Sequence, residues 1–165
     1  MGLQRRPRKS EAGYTMIEIA LVMSIVAIVA ILATPSFLTY YQASRLRVGA
    51  EEVAAFINQG RQLGIRENTS VCVHINSTAL QYRLGTSCSL VAITSLAGDA
   101  WVGPGTDSNG AIHIPQGLTL STNADPFFNY LGAASPGATV AVTNTQTGTV
   151  LHVTVAGSGR VSIGP

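Results

Sequence analysis

Glu18 is a carboxylate three residues inside an apolar run that begins at Thr15 and continues to Ala33, within the stretch AGYTMIEIALVMSIVAIVAILATPSF. A charge is costly in such a run, so an acid there reads as functional by default and needs a cationic partner. Other candidates for chemistry are sparser. Cys72 and Cys88 form no CxxC and have no histidine cluster at zinc-ligand spacing, so no metal is expected of them. In an oxidising compartment they would join, closing a loop of roughly 15 residues for about 3 kcal/mol under the chain-entropy model. The alternative is two separate buried thiols. His74, His113 and His152 each lie in a β-prone run, with no Gly-x-Ser-x-Gly elbow and no paired carboxylates near a nucleophile. Neither an enzyme nor a cofactor is expected. Asp107-Ser108-Asn109-Gly110 opens like a calcium loop, but Gln116 stands where the bidentate glutamate belongs, so the stretch reads as a turn.

The elements that must carry these residues divide at the apolar run. A helix over Thr15–Ala33 would span about 28 Å, close to the hydrocarbon thickness of a bilayer. Arg5, Arg6, Arg8 and Lys9 precede it and the next basic residue is Arg45, which predicts a cytoplasmic N-terminus and an exported remainder. A cleaved secretory signal fits poorly, because the only small-x-small pair at the end of the run, Thr34-Pro35-Ser36, contains a proline. The whole chain carries a formal +2 among 165 residues, whereas from Ser36 onward acids and bases cancel. Nothing in that balance draws the globular part to nucleic acid or an anionic surface.

After Pro35 the pattern stays helical. Phe37, Tyr41, Val48, Val53, Phe56, Ile57, Gly60, Leu63 and Gly64 fall near one face, and Arg45, Arg47, Glu51, Glu52, Gln59, Arg61 and Arg66 fall largely on others. Glycines at 49, 60 and 64 each cost about 1 kcal/mol in a helix interior, so they predict close approach to a sheet. From Val71 the texture changes to short β-prone runs: VCVHI, LQYRL, LVAIT, AIHI, LTLS, FFNYL, ATVAVT, TVLHVTV and GRVSI. They predict an antiparallel β domain on the second half of the helix, with loops at 103–110 and 132–138.

Gly13-Tyr14-Thr15-Met16-Ile17-Glu18, after a short basic leader, resembles the class III signal of type IV pilins and type II secretion pseudopilins. The resemblance implies cleavage between Gly13 and Tyr14 by a prepilin peptidase, methylation of the new Tyr14 amine, and a helix-kinking role for Pro35. Glu18 then becomes the fifth mature residue, able to pair with the Tyr14 amine of a neighbouring subunit and set assembly register. Arg45-Leu46, Glu52-Val53-Ala54, Asn58-Gln59-Gly60-Arg61, Ile65-Arg66-Glu67-Asn68, Val71-Cys72-Val73, Trp101 and Gly159-Arg160-Val161 are similar to the GspH/FimT-like group of minor pilins and pseudopilins. That group typically has alanine where Gly60 stands.

What the resemblance implies is an α+β, pilin-like fold: a leader at 1–13, a transmembrane and assembly helix at 14–35, its amphipathic continuation at 36–68, and a periplasmic β domain at 69–165. The chain would be a single-pass inner-membrane protein that passes into a filament and primes or caps its assembly. Its partners would be other major and minor pilins or pseudopilins, the prepilin peptidase and the inner-membrane assembly platform. The alternative function is DNA binding for natural transformation. Some FimT-like members use a Gly-Arg-x-Arg pattern near the C-terminus, but here it reads Gly159-Arg160-Val161-Ser162, leaving Arg160 as the DNA contact.

Overall fold

Thr15 caps the first element. Its Oγ1 and its carbonyl oxygen both accept the Glu18 N–H, at 3.4 and 3.1 Å, at the start of α1, Met16–Arg66. The computed structural model describes residues 14–85, 88 and 100–165, which fall into two units divided between Tyr40 and Tyr41. The expected leader with Gly13 and the run LVAIT lie outside the described residues. Pro35 sits inside α1, where it supplies no N–H to the Ile31 carbonyl. At the far end Thr69 N–H reaches the Gly64 carbonyl and Asn68 N–H the Ile65 carbonyl, at 3.1 and 3.4 Å, with Asn68 at φ 49°. These two bonds form a Schellman stop with asparagine in the left-handed position.

In the second unit α1 buries Leu46, Gly49, Ala50, Val53, Ile57, Gly60, Leu63 and Gly64. The expected face is thus corrected at one end, since Phe37, Tyr41 and Val48 are exposed. At about 100° per residue those three lie on the far side of the helix from Leu46, and the small Gly49 and Ala50 take the buried positions instead. Each buried glycine marks a close approach. A Cβ on Gly60 would stand 2.6 Å from Val73 Cγ2 and 3.1 Å from Tyr82, and one on Gly49 would collide with Leu118.

The β-prone runs form two four-stranded antiparallel sheets. The first contains β1 (Val71–Ile75), β2 (Ala79–Leu84), β3 (Ala111–His113) and β5 (Phe127–Phe128), in the order β3-β2-β1-β5. The second contains β4 (Leu118–Thr122), β6 (Ala138–Asn144), β7 (Val150–Val155) and β8 (Val161–Gly164), in the order β4-β6-β7-β8. FFNYL yields only the two residues of β5, because the Asn129 side chain accepts the N–H groups of Leu131 and Ala133 and turns the chain. Alternation assigns the faces: Val140, Val142, Val153 and Val155 are buried, while Thr139, Ala141, Thr143, Val150 and Thr154 are at least partly exposed. One core joins α1 to both sheets through Ile57, Val73, Leu80, Phe128 and Val153.

β2 is buried on both faces. Leu80 and Tyr82 belong to the shared core, whereas Gln81 and Arg83 are buried polar side chains. Gln81 donates to the Asn109 carbonyl at 2.6 Å and accepts from Arg83 Nε at 3.0 Å, while Tyr82 donates to the Phe56 carbonyl at 2.7 Å. Burial pushes the Tyr82 phenol well above its ordinary pKa, which keeps it a neutral donor.

Gly60→Ala should destabilise the chain even though alanine favours helix by about 1 kcal/mol. Val73 and Tyr82 are fully buried and have no room to yield, so overpacking of about 1–3 kcal/mol prevails. Urea unfolding of the full chain in detergent micelles would show a lower midpoint with an unchanged slope.

Candidate functional site

The polar candidates of the β unit are engaged in local structure. Cys72 and Cys88 are joined by a disulfide with Cα atoms 5.5 Å apart. Strand alternation puts His74 on the face of β1 that carries Cys72, and its Nδ1 lies 2.6 Å from Asp125 Oδ2. Asp125 Oδ1 also accepts the Ile75 N–H at 3.0 Å, so this carboxylate ties the 123–126 loop to β1. Among the described residues Cys72, Cys88 and Asp125 bring donor atoms within 4.8 Å of one another, but the two sulfurs are bonded together and present no thiolate. Sequence pattern offers no sign of Asp125, which arrives from a distant loop.

Asp107 closes its own turn. Oδ1 accepts the N–H groups of Asn109 and Ala111, both at 2.8 Å, and Oδ2 lies 3.1 Å from His113 Nε2. His152, between Ala141 and Gly164 in the second sheet, has a buried Nδ1 with no hydrogen-bond partner. Arg160 is exposed at the hairpin before β8, where Ala156 N–H reaches the Arg160 carbonyl at 2.9 Å and Gly159 takes φ 78°. Among the described residues Asp125 gathers His74 and the disulfide, while Asp107 with His113, His152 and Arg160 are placed by other turns and strands.

The N-terminal segment has the opposite character. From Tyr14 through Tyr40 every side chain is exposed, including Met16, Ile17, Leu21, Met23, Ile31 and Leu32. A continuous apolar helix surface of this kind needs a lipid or protein covering. The part of α1 with the greatest mean hydropathy, 2.7, is long and apolar enough to cross a membrane. Three of its hydroxyls are satisfied within the helix: Ser24 donates to the Ala20 carbonyl, Thr34 to Ala30 and Thr39 to Pro35, at 2.7–2.8 Å. They therefore add little desolvation cost. Glu18 is the exception, an exposed carboxylate in the first turn. Thr15-Met16-Ile17-Glu18 has the spacing of a capping box, and an acid in the first turn complements the helix dipole. That local role, which sequence reasoning passed over, leaves the charge on the helix surface and free to meet a cation.

Residues 8–34, which include Gly13, Tyr14 and Glu18, match the family described as the prokaryotic N-terminal methylation motif. This is a prepilin-type N-terminus. Three solved structures share the fold of this chain at low identity. The type IV minor pilin FimU of Pseudomonas aeruginosa is 16% identical with a TM-score of 0.52, over 76% of this chain and 92% of that one. The minor pseudopilin EpsH from the type 2 secretion system of Vibrio cholerae gives 14% and 0.52, over 72% and 95%. GspH of E. coli gives 12% and 0.54, over 73% and 88%. No curated protein matches the chain. The architecture is accordingly pilin-like: a long N-terminal helix, apolar enough to anchor in a membrane, and a C-terminal globular part built on antiparallel sheets.

In the β unit of the prepilin-type chain, the Asp107 carboxyl is held below its ordinary pKa chiefly by the Ala111 N–H, with Asn109 N–H and His113 adding to it. The loop grips the ionised form. Its order should be complete above about pH 4, the ordinary carboxyl range, and fade as pH falls through the lowered value. Carboxyl NMR titration would place Asp107 below the ordinary aspartate value, and Asp107→Ala would speed amide exchange at Asn109 and Ala111.

Proposed function

We propose that this chain is a minor pilin or pseudopilin subunit with a structural rather than an enzymatic role. A prepilin peptidase cuts after Gly13 on the cytoplasmic side, and the Tyr14 amine is methylated. Residues 14–35 hold the subunit in the inner membrane with residues 69–165 in the periplasm. An assembly platform then passes it into a type IV pilus or type II secretion pseudopilus, where it primes or caps assembly.

The observation that carries this reading is the uncovered apolar helix with one exposed acid, Glu18, inside a methylation motif. Stacking such helices against their neighbours buries the apolar surface and gains about 25 cal/mol per Å² removed from water. Pairing Glu18 with the Tyr14 amine of the next subunit offsets the cost of burying either charge and selects one axial register. Pro35 leaves the Ile31 carbonyl without its helical donor, so the helix can bend or open there as it leaves lipid for the filament. Support for the filament as destination comes from the fold, since the similar structures include a minor pilin and a minor pseudopilin.

Intact mass and N-terminal sequencing of the membrane-extracted protein should return a chain beginning at methylated Tyr14. An unprocessed N-terminus in cells with active prepilin peptidase would reduce the protein to a signal-anchored domain. Glu18→Val should insert into the membrane at normal levels yet lose co-purification with filaments, and unchanged co-assembly would remove the register role.

A further inference from the structure

Among the described residues two sheets leave four edge strands, and on three of them at least one outward backbone group is already engaged. On β3 the N–H and C=O of Ala111 are both held by Asp107. On β4 the Leu120 N–H reaches the Ser77 carbonyl at 2.8 Å. On β5 the Phe127 carbonyl accepts from Ser135 and Phe128 bridges to Ala134. β8 differs. It pairs with β7 in the register Thr154↔Ser162 and Val155↔Val161, and the Ala156–Arg160 bond fixes the phase of that ladder. Hydrogen-bonded pairs alternate in an antiparallel ladder, so Ser162 and Gly164 bond to β7 while Val161 and Ile163 aim their N–H and C=O groups away from it. Among the described residues neither has a backbone partner on that side.

No charge, proline or bulge interrupts Val161–Gly164, and Ile163 is 40% exposed. Beside it runs a cleft of about 300 Å³ lined by Leu151, Ile163 and Pro165, with Arg47 and Glu51 on its other wall. Those two are paired at 3.1 Å, so the wall presents compensated charge. An open row of donors and acceptors beside an uncharged cleft matches one chemistry, an extended peptide with an apolar side chain to place next to Ile163.

We propose that the outer edge of β8 accepts an uncharged extended segment of another filament subunit as a fifth strand of the second sheet. The choice of a subunit rests on the filament reading above; the strand addition does not. Self-pairing of β8 across two copies overlaps only four residues, well below the roughly 1,000 Å² of a stable interface. A small patch suffices when helix packing already holds the neighbour alongside and raises its effective concentration.

The test is amide exchange on the full chain, first in detergent micelles with a capped peptide of alternating threonine and valine ended by lysines, then in purified filaments. Val161 and Ile163 amides should slow about tenfold or more in both settings while Val153 and Val155 stay unchanged. Ile163→Pro removes an outward donor that β7 does not use, so it should keep the wild-type melting temperature and lose the peptide's protection. Val161 and Ile163 amides that stay fast with the peptide would overturn the proposal. So would amides that stay fast in filaments containing the chain, with the filament reading intact. Peptide protection in a chain that never enters filaments would instead sink the filament reading and leave the strand-accepting edge standing. A disulfide-linked homodimer of Ser162→Cys in membranes would replace the neighbouring subunit with a second copy.

Discussion

How closely a helix backbone can approach two sheets at once governs residues 41–165. Gly60 lies against Val73 and Tyr82, and Gly49 against Leu118, so one stretch of α1 touches a strand of each sheet. Side chains at those positions would hold the layers apart and strip dispersion contacts from a core whose members are almost fully buried. The loss of helix propensity at each glycine is outweighed by the burial it permits.

The first part of α1 obeys the reverse rule. It exposes large apolar side chains from Met16 to Leu38 and has no cover of its own among the described residues. In a soluble domain that would be an aggregation hazard, but in a chain with a methylation motif it suits a membrane anchor. The polar atoms of this stretch are arranged to suit. The Ser24, Thr34 and Thr39 hydroxyls return to their own helix, while the Glu18 charge stays on the surface.

Within the β unit, polar side chains mostly spend their hydrogen bonds on local order. Asp107 and Asp125 each collect backbone N–H groups and a histidine, Gln81 bridges Arg83 to a loop carbonyl, and Tyr82 ties a strand to the helix. Such commitments hold these side chains to local structure, while β8 keeps open backbone groups at Val161 and Ile163.

The sequence by itself determined the apolar helix, its acid at Glu18, the proline at 35, the stop near Asn68 and most strands. Each of these is a local signal: hydropathy over a continuous run, a capping residue, or alternation between turn residues. It misjudged the start of the buried helix face, where Phe37, Tyr41 and Val48 attracted attention as large apolar residues although the packed positions fall to Leu46, Gly49 and Ala50. Only the tertiary structure decided that the strands divide into two sheets, that Asp125 meets His74 beside a disulfide, that Gln81 and Arg83 are buried, and that the outer edge of β8 stays open. Those outcomes join residues tens of positions apart, and no local pattern encodes which distant backbone or carboxylate will fill the space beside a given strand.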